Sequence, residues 1–455
     1  MTTAKGAARN ADHVDVLVVG GGSAGLAAAV AAARLGASVR LVEKHGFLGG
    51  TLTMVTLGSI CGLYTVTEAE VIPVVGGFAA EVVDRLRREG GAPAAPKRWL
   101  KTASLPYDPF CMKLVCDDLA TEARIGLFLH TLVAETLMEG RRIVGVVAET
   151  PSGRRAIHAG AIIDATGDGN VAALAGAAFE YDPSHNQAPT AMVRFGGVDT
   201  TRAMALDRPT LQACLERAVE AGLPLPRTAG GMFSVRDGIV HLNITRILRD
   251  GRAPDVLDVE ELTAAEIEGR RQVRMYVEAF RRFVPGFEGC FVLDTGAELG
   301  VRESRRIRGE HWLELDEVMN QGRFADAVAC SAWPVEDHGS GRATKWVFLD
   351  PGTYYQLPYR MMVPRGVEGL LVAGRCASAS HDAHASMRVA AICMALGEAA
   401  GVAAAQCVER GVTVRQADIG ALQRQLLQQG AFLGEVDMGV VAPAPAERAR
   451  MNAED

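Results

Sequence analysis

Short runs that are apolar at nearly every position alternate along the chain with longer stretches whose apolar residues have helical spacing. The runs at 16–19 (VLVV), 161–165 (AIIDA) and 370–373 (LLVA) are bounded by glycine or aspartate, which predicts strands buried on both faces of a parallel sheet. The first run turns through Gly20, Gly21 and Gly22 into an Ala-rich helix over 24–35, stopped by Gly36, and a second strand follows at 38–42. Helices are predicted over 77–89 and from Asp108 or Pro109 to about 124. Strands follow at 127–130, 132–137, 142–149 and 154–158, with turns at Glu139-Gly140 and 151–153, then a helix over 170–175. From about 180 to 359 the pattern changes to strand–turn–strand segments, such as 232–235 and 239–244, and a long charged helix. Thr263 and Glu266 have capping-box spacing at the start of that helix, and Pro285-Gly286 stops it. The core pattern then returns, with a strand within 369–375 and a small-residue helix over roughly 386–409. The fold class is therefore α/β, a parallel sheet with helices and a β-meander at 14–179 and 360–433. An α+β domain is inserted at 180–359, and loose tails flank the whole at 1–13 and 434–455.

The turn after the first strand reads G-x-G-x-x-G at Gly20, Gly22 and Gly25, followed at the end of the next strand by Glu43. That strand–turn–helix–strand–acid order is a dinucleotide fingerprint with a physical basis. Gly20 permits the tight turn, Gly22 lets the backbone approach a pyrophosphate, and Gly25 lets helix pack on strand. The helix N-terminus offers free N–H groups to phosphate, and Glu43 can accept from a ribose diol.

Composition narrows the class further. The 455 residues carry a net charge of −7, with 49% hydrophobic and 22% charged residues, so nothing electrostatic favours nucleic acid or an anionic membrane. The first 13 residues lack an apolar signal-peptide core, and the two most apolar helices carry charges or small residues suited to a buried position, so no membrane span is expected. Nine scattered cysteines, an odd number, point to a reduced cytoplasm.

GGGSAG with Glu43 and Lys44, FLGG at 47–50, IIDATGDG at 162–169, VRESRRIRGE at 301–310 and LLVAGRCASASHDAHASMRVAAICMALGEAAG at 370–401 occur in this order. Together they resemble the FAD-dependent oxidoreductases of the glutathione-reductase-type flavoprotein superfamily, allied to the fumarate-reductase flavoprotein branch, over about residues 14–410. The resemblance implies a Rossmann-like FAD-binding domain, with the inserted region as substrate domain, and FAD rather than NAD as cofactor. It implies FAD contacts at Gly20, Gly22, Ser23, Ala24, Gly25, Glu43 and Lys44 and at Gly49, Gly50 and Thr51. It extends them to Val133, to Ala165, Thr166, Gly167 and Asp168, and to Gly374, Arg375 and Met387. The last helix, starting near Met387, would turn its N-terminus to the reduced flavin's negative charge.

His381 and His384, with Asp382 between them, precede that helix and are candidate catalytic bases. No third ligand lies nearby in sequence, so no metal is expected. Arg302, in a cluster with Arg305 and Arg306, is a candidate to hold an anionic or polar substrate group; Arg194, His241 and Tyr355 are weaker substrate-binding candidates. Cys111 and Cys116 have C-x4-C spacing but sit in a predicted helix, where i and i+5 do not face each other. Cys61, after the FLGG loop, is better placed than these to be a reactive thiol, although a buried inert cysteine is the favoured reading there. The expected activity is hydride transfer between a small polar organic molecule and flavin N5. The rivals are an NAD(P)H-dependent flavoprotein reductase, a thiol–disulfide oxidoreductase and a non-catalytic FAD-binding protein. The electron acceptor (oxygen, quinone or a protein), covalent attachment of the flavin, and oligomeric state, with a homodimer possible, are left open by the sequence.

Overall fold

The computed structural model describes residues 12–339 and 344–436. Most of both expected tails therefore lies outside the described residues, although Asp12 and His13 already belong to the first strand, Asp12–Val19. That strand is the centre of a seven-stranded sheet. On one side it pairs in parallel with Val39–Val42, which pairs in parallel with Gly126–Phe128. On the other it pairs in parallel with Gly153–Asp164, along which Leu370–Val372 also lies in parallel. Leu132–Glu139, Arg142–Thr150 and Gly153–Asp164 form the antiparallel meander.

The two strands expected at 154–158 and 161–165 are one. Its N-terminal half, up to His158, closes the meander, while the part from Ile157 to Asp164 runs beside Asp12–Val19. Gly160 does not break it: a Cβ there would lie 3.1 Å from Asp15 O, so the glycine lets neighbouring strands and the Val408 side chain close in.

Two helices cross on one face of this sheet, Ser23–Arg34 and Ala390–Arg410. Their seam is built from small residues four apart. A Cβ on Gly397 would stand 2.0 Å from Ala24 O, and one on Gly401 2.1 Å from Ala28 O. The backbones are therefore nearly in contact, and side-chain carbon has no room there. Gly401→Val should lower the melting temperature by the equivalent of about 1–3 kcal/mol or more, the cost of overpacking a closed core. A thermal melt unchanged from wild type would disprove that seam. Ala390–Arg410 is long and apolar enough to cross a membrane, but most of its apolar stretch is buried inside the fold.

A second core lies between about Ala191 and Leu299. There an antiparallel sheet of Gly231–Phe233, Ile239–Asn243, Val193–Gly196 and Phe291–Thr295, in that order, is covered by Arg208–Glu220 and Val259–Phe283. Phe195, Phe280 and Phe287 meet edge to face at its centre. This core is narrower than the 180–359 expected from sequence: Leu313, Trp333 and Tyr355 pack into the first core instead. The long helix also starts earlier than the Thr263 signal suggests. Asp258 caps it by accepting from the Glu260 and Glu261 N–H groups, while Thr263 Oγ1 donates back to Val259 O within the helix.

Candidate functional site

A cavity of about 460 Å³ runs between the two cores, within the range of small-molecule and cofactor sites, roughly 300–1,000 Å³. One end is the glycine turn. Gly20 has φ +99°, and a Cβ on it would strike Ala165 O at 2.5 Å. Gly25 is packed tighter still, its would-be Cβ 1.7 Å from Gly20 O. Gly22 differs, since the nearest heavy atom to its would-be Cβ is Gly50 Cα at 3.6 Å, and that space belongs to the cavity. Gly20, Gly22, Ser23 and Ala24 line this end, and Gly22 caps the helix without a side-chain hydrogen bond. The first-turn N–H groups are left for an anion.

Across the turn stand Gly50 and Thr51, Val133, and Ala165, Thr166, Gly167 and Asp168, with Gly374 and Arg375 further along. The Ala165–Gly167 turn is held by Asp164, which sequence reasoning passed over. Its Oδ1 accepts from Thr166 N (3.0 Å) and Thr166 Oγ1 (2.7 Å), and its Oδ2 from Ala172 N (2.8 Å). Asp168 accepts from Ser304 Oγ at 2.6 Å and from Arg375 at 2.7 Å. Gly25 and Gly49 stand behind the wall rather than in it.

Glu43 lines the cavity, but its carboxylate is already engaged. Oε2 accepts from Gly21 N at 2.6 Å, and Oε1 accepts from His45 N at 2.9 Å and His45 Nδ1 at 2.7 Å. A carboxylate has about four acceptor positions, so capacity remains for a ribose. His45 Nε2 reaches Glu298 at 2.7 Å, and Lys44 reaches the same carboxylate at 3.3 Å, joining the two cores. Glu298 and Glu43 raise His45 to about 9. A histidine whose folded value is raised stabilises fully below its unfolded value, about 6.5, and loses that contribution as pH climbs through its folded value. The melting temperature of wild type should therefore exceed that of His45→Gln at pH 6, and the gap should close between pH 6.5 and about 9. A gap that widens with pH would refute the clasp.

The other end of the cavity is polar, and of the residues that build it the sequence pointed to Arg302 and not to Arg227, His338 or Arg388. Arg302 does line it, donating to Ala188 O at 2.5 Å and to Asn243 Oδ1 at 3.2 Å. Burial, then Arg388 and Arg227, push it well below the usual guanidinium range. Arg227 and Arg388 share the wall, with Trp99, Trp333 and Trp346 beside them. His338, 3% exposed, also lines it. Its Nε2 lies 2.8 Å from Glu336 Oε1, and its Nδ1 lies 3.4 Å from Arg246 Nη2 and 3.3 Å from Thr344 Oγ1. A carboxylate only accepts and a guanidinium only donates, which assigns the proton to Nε2 and the lone pair to Nδ1. Burial and the surrounding arginines push His338 well below 6.5, so the ring is neutral.

Several expected site residues lie elsewhere. His381 does not line the cavity: its Nδ1 is 2.9 Å from Glu303 and its Nε2 3.7 Å from Asp337, and these carboxylates raise it to about 10, so it keeps its proton. His384 is fully buried, with Nε2 2.7 Å from Arg375 O, and burial lowers it to about 3. Asp382 turns out toward Lys345. Arg194 is spent on Asp294 on the adjacent strand. His241 is buried beside Gly58, and Tyr355 is buried in hydrogen-bond contact with Ser386 at 2.8 Å. Neither reaches the cavity. Met387 is buried as well, because the last helix is broken. His381–Met387 ends at Arg388, and Ala390–Arg410 begins after Val389, so Val389 and Ala390 bring the helix N-terminus to the cavity wall. Cys61 lines the cavity, but burial pushes its thiol up and away from thiolate. Cys111 and Cys116 are free.

This arrangement, a nucleotide-shaped turn at one end of a two-core cavity and a buried polar end at the other, defines a flavoprotein of the Rossmann-like class. The family model described as "FAD dependent oxidoreductase" matches residues 15–426, and the chain belongs to that family. Its cofactor is FAD, and the open space at Gly22 with the uncapped helix N-terminus behind it fits the pyrophosphate of that group. Leghemoglobin reductase of Vigna unguiculata is 45% identical over 51 residues, 11% of this chain and 10% of that protein. That of Glycine max is 47% identical over 51 residues, with the same shares. The matches thus span about a tenth of the length of these curated relatives. Among solved structures, p-nitrophenol 4-monooxygenase from Pseudomonas putida DLL-E4 has a TM-score of 0.47 at 13% identity, covering 97% of this chain and 93% of that one. A geranylgeranyl bacteriochlorophyll reductase-like protein from Thermoplasma acidophilum has a TM-score of 0.46 at 13% identity, covering 93% and 85%.

Proposed function

We propose that the protein is an FAD-dependent dehydrogenase or oxidase that moves a hydride between a small polar organic substrate and flavin N5. The observation that carries this reading is the single cavity joining the glycine turn to a polar end that holds both an anchoring Arg302 and a neutral His338. Bound FAD supplies the two-electron acceptor. The chain supplies the rest. Arg302, fixed by Ala188 and Asn243, orients a polar or anionic group of the substrate. His338 Nδ1 takes the substrate proton by giving up its long contacts with Arg246 Nη2 and Thr344 Oγ1, and Glu336 on Nε2 stabilises the imidazolium that forms. The N–H groups at Ala390 and Ala391 favour negative charge beside the helix N-terminus. The tryptophan wall excludes water. His338 replaces His381 and His384 in this role.

Within the family, the order of the glycine, FLGG, ATG and last-helix motifs supports an alliance with the fumarate-reductase branch of the glutathione-reductase-type superfamily. The free cysteines support a cytoplasmic location, and oxygen, a quinone or a partner protein serves as electron acceptor. The test is anaerobic mixing of the holoenzyme with hydroxy acids, polyols and amines, and separately with NADH and NADPH, while the flavin absorbance is followed. Bleaching by an organic substrate is expected; bleaching by NADH or NADPH alone would overturn the direction proposed.

A further inference from the structure

We propose that the polar end of the cavity selects an aromatic acid bearing two negative charges, its ring against the tryptophan wall and its carboxylates on Arg227 and Arg388. This rests on reading the cavity as an FAD and substrate site. Among the described residues, three guanidinium groups, on Arg227, Arg302 and Arg388, line that end against one carboxylate, Glu336. Glu336 is already occupied, accepting from His338 Nε2 at 2.8 Å and from Trp333 Nε1 at 3.2 Å. Asp207, at the rim, caps the helix Arg208–Glu220 by accepting from Thr210 N at 2.8 Å and sits beside Arg208. The excess among the described residues is therefore positive, and Lys97, which lines the cavity on the same strand as Trp99, adds to it.

The hydrogen bonds tell the same story. Arg227 is 5% exposed, yet among the described residues its Nε and Nη1 have no partner, and its Nη2 has only Thr344 Oγ1 at 3.5 Å. Arg388 uses Nη2 on Gln187 and on Glu336 O, and its buried Nε has no partner. Trp346 Nε1 is buried and unpartnered as well. Every one of these orphaned atoms is a donor. Buried donors without acceptors are rare and costly, so a group that brings acceptors, and negative charge with them, completes the site.

Shape sets the rest of the class. Trp99 lies edge to face with Trp333 and Trp346, centroids 5.8 and 5.5 Å away, and all three line the cavity. Rigid indole surfaces beside guanidinium groups favour a flat apolar body with acidic substituents over a flexible aliphatic chain.

The test is calorimetric titration of the holoenzyme with isophthalate, succinate and benzyl alcohol. Isophthalate should bind at least about tenfold tighter than succinate, benzyl alcohol should give no measurable binding, and added salt should weaken isophthalate. Arg227→Gln should weaken isophthalate by about tenfold or more while raising the melting temperature of the ligand-free holoenzyme, because it removes a buried charge that lacks partners. A residue with a purely structural role would lower it. Succinate or benzyl alcohol binding as tightly as isophthalate, or Arg227→Gln leaving isophthalate binding intact, would overturn the proposal. Titration reads binding without turnover. Isophthalate that binds while no organic substrate bleaches the flavin would sink the hydride-transfer reading and leave this one standing, and bleaching by neutral or aliphatic substrates alone would do the reverse.

Discussion

A Gly22→Val protein should fold with nearly the apo wild-type melting temperature and purify without FAD. Two features of Gly22 separate folding from binding. Its backbone, φ −76° and ψ −168°, is one any residue adopts, and its would-be Cβ meets nothing closer than Gly50 Cα at 3.6 Å. Valine at a helix N-cap costs no more than about 1 kcal/mol relative to glycine. The space it fills, however, lies in the cavity directly before the uncapped N–H groups of Ser23 and Ala24. Loss of FAD retention by at least about 100-fold, ~3 kcal/mol, is expected. Gly25→Val is the control with the opposite signature, since its Cβ would sit 1.7 Å from Gly20 O and the strand–helix packing itself must fail. Flavin absorbance per mole of protein and thermal melts of flavin-stripped samples read the two effects apart. A yellow Gly22→Val protein would place the phosphates elsewhere.

The contrast between these two glycines shows what a sequence reveals of such a site. The nucleotide end is local: Gly20, Gly22, Gly25 and Glu43 sit in one βαβ unit, and their chemistry follows from spacing along it. Continuous apolar runs likewise mark the 16–19 part of Asp12–Val19 and the strand Leu370–Val372, because both faces are buried there. The polar end is assembled from distant segments. Arg227, Arg302, His338 and Arg388 share no motif and lie in loops or short elements, so no period or spacing unites them. His381 and His384 misled for the complementary reason. They stand next to the last helix in sequence, but with the helix broken at Arg388, His384 turns into the core and His381 against Glu303. Arg388 itself carried a signal that could have been used, being the one charged residue between Met387 and Glu398 in a segment otherwise made of small and apolar residues.

His338→Ala should slow anaerobic flavin reduction by about 10²–10⁴-fold, the usual worth of a positioned base, with FAD content unchanged. Glu336→Gln should slow it less, because the amide oxygen can still orient Nε2 although it no longer offsets charge on the ring. The pH profile distinguishes this base from its rival. Burial and four arginines keep His338 well below 6.5, so it is already deprotonated throughout the neutral range. The reduction rate with a substrate that does not itself titrate should then be flat from pH 6.5 to 9 and fall only in acid. A base at His381 behaves in the opposite way. Asp337 and Glu303 raise it to about 10, so its competent neutral form grows tenfold with each pH unit below that value. Stopped-flow reduction across that range decides between them. A rate climbing steadily toward pH 10, with His338→Ala unimpaired, would return the proton to His381 and make His338 a structural partner of Glu336.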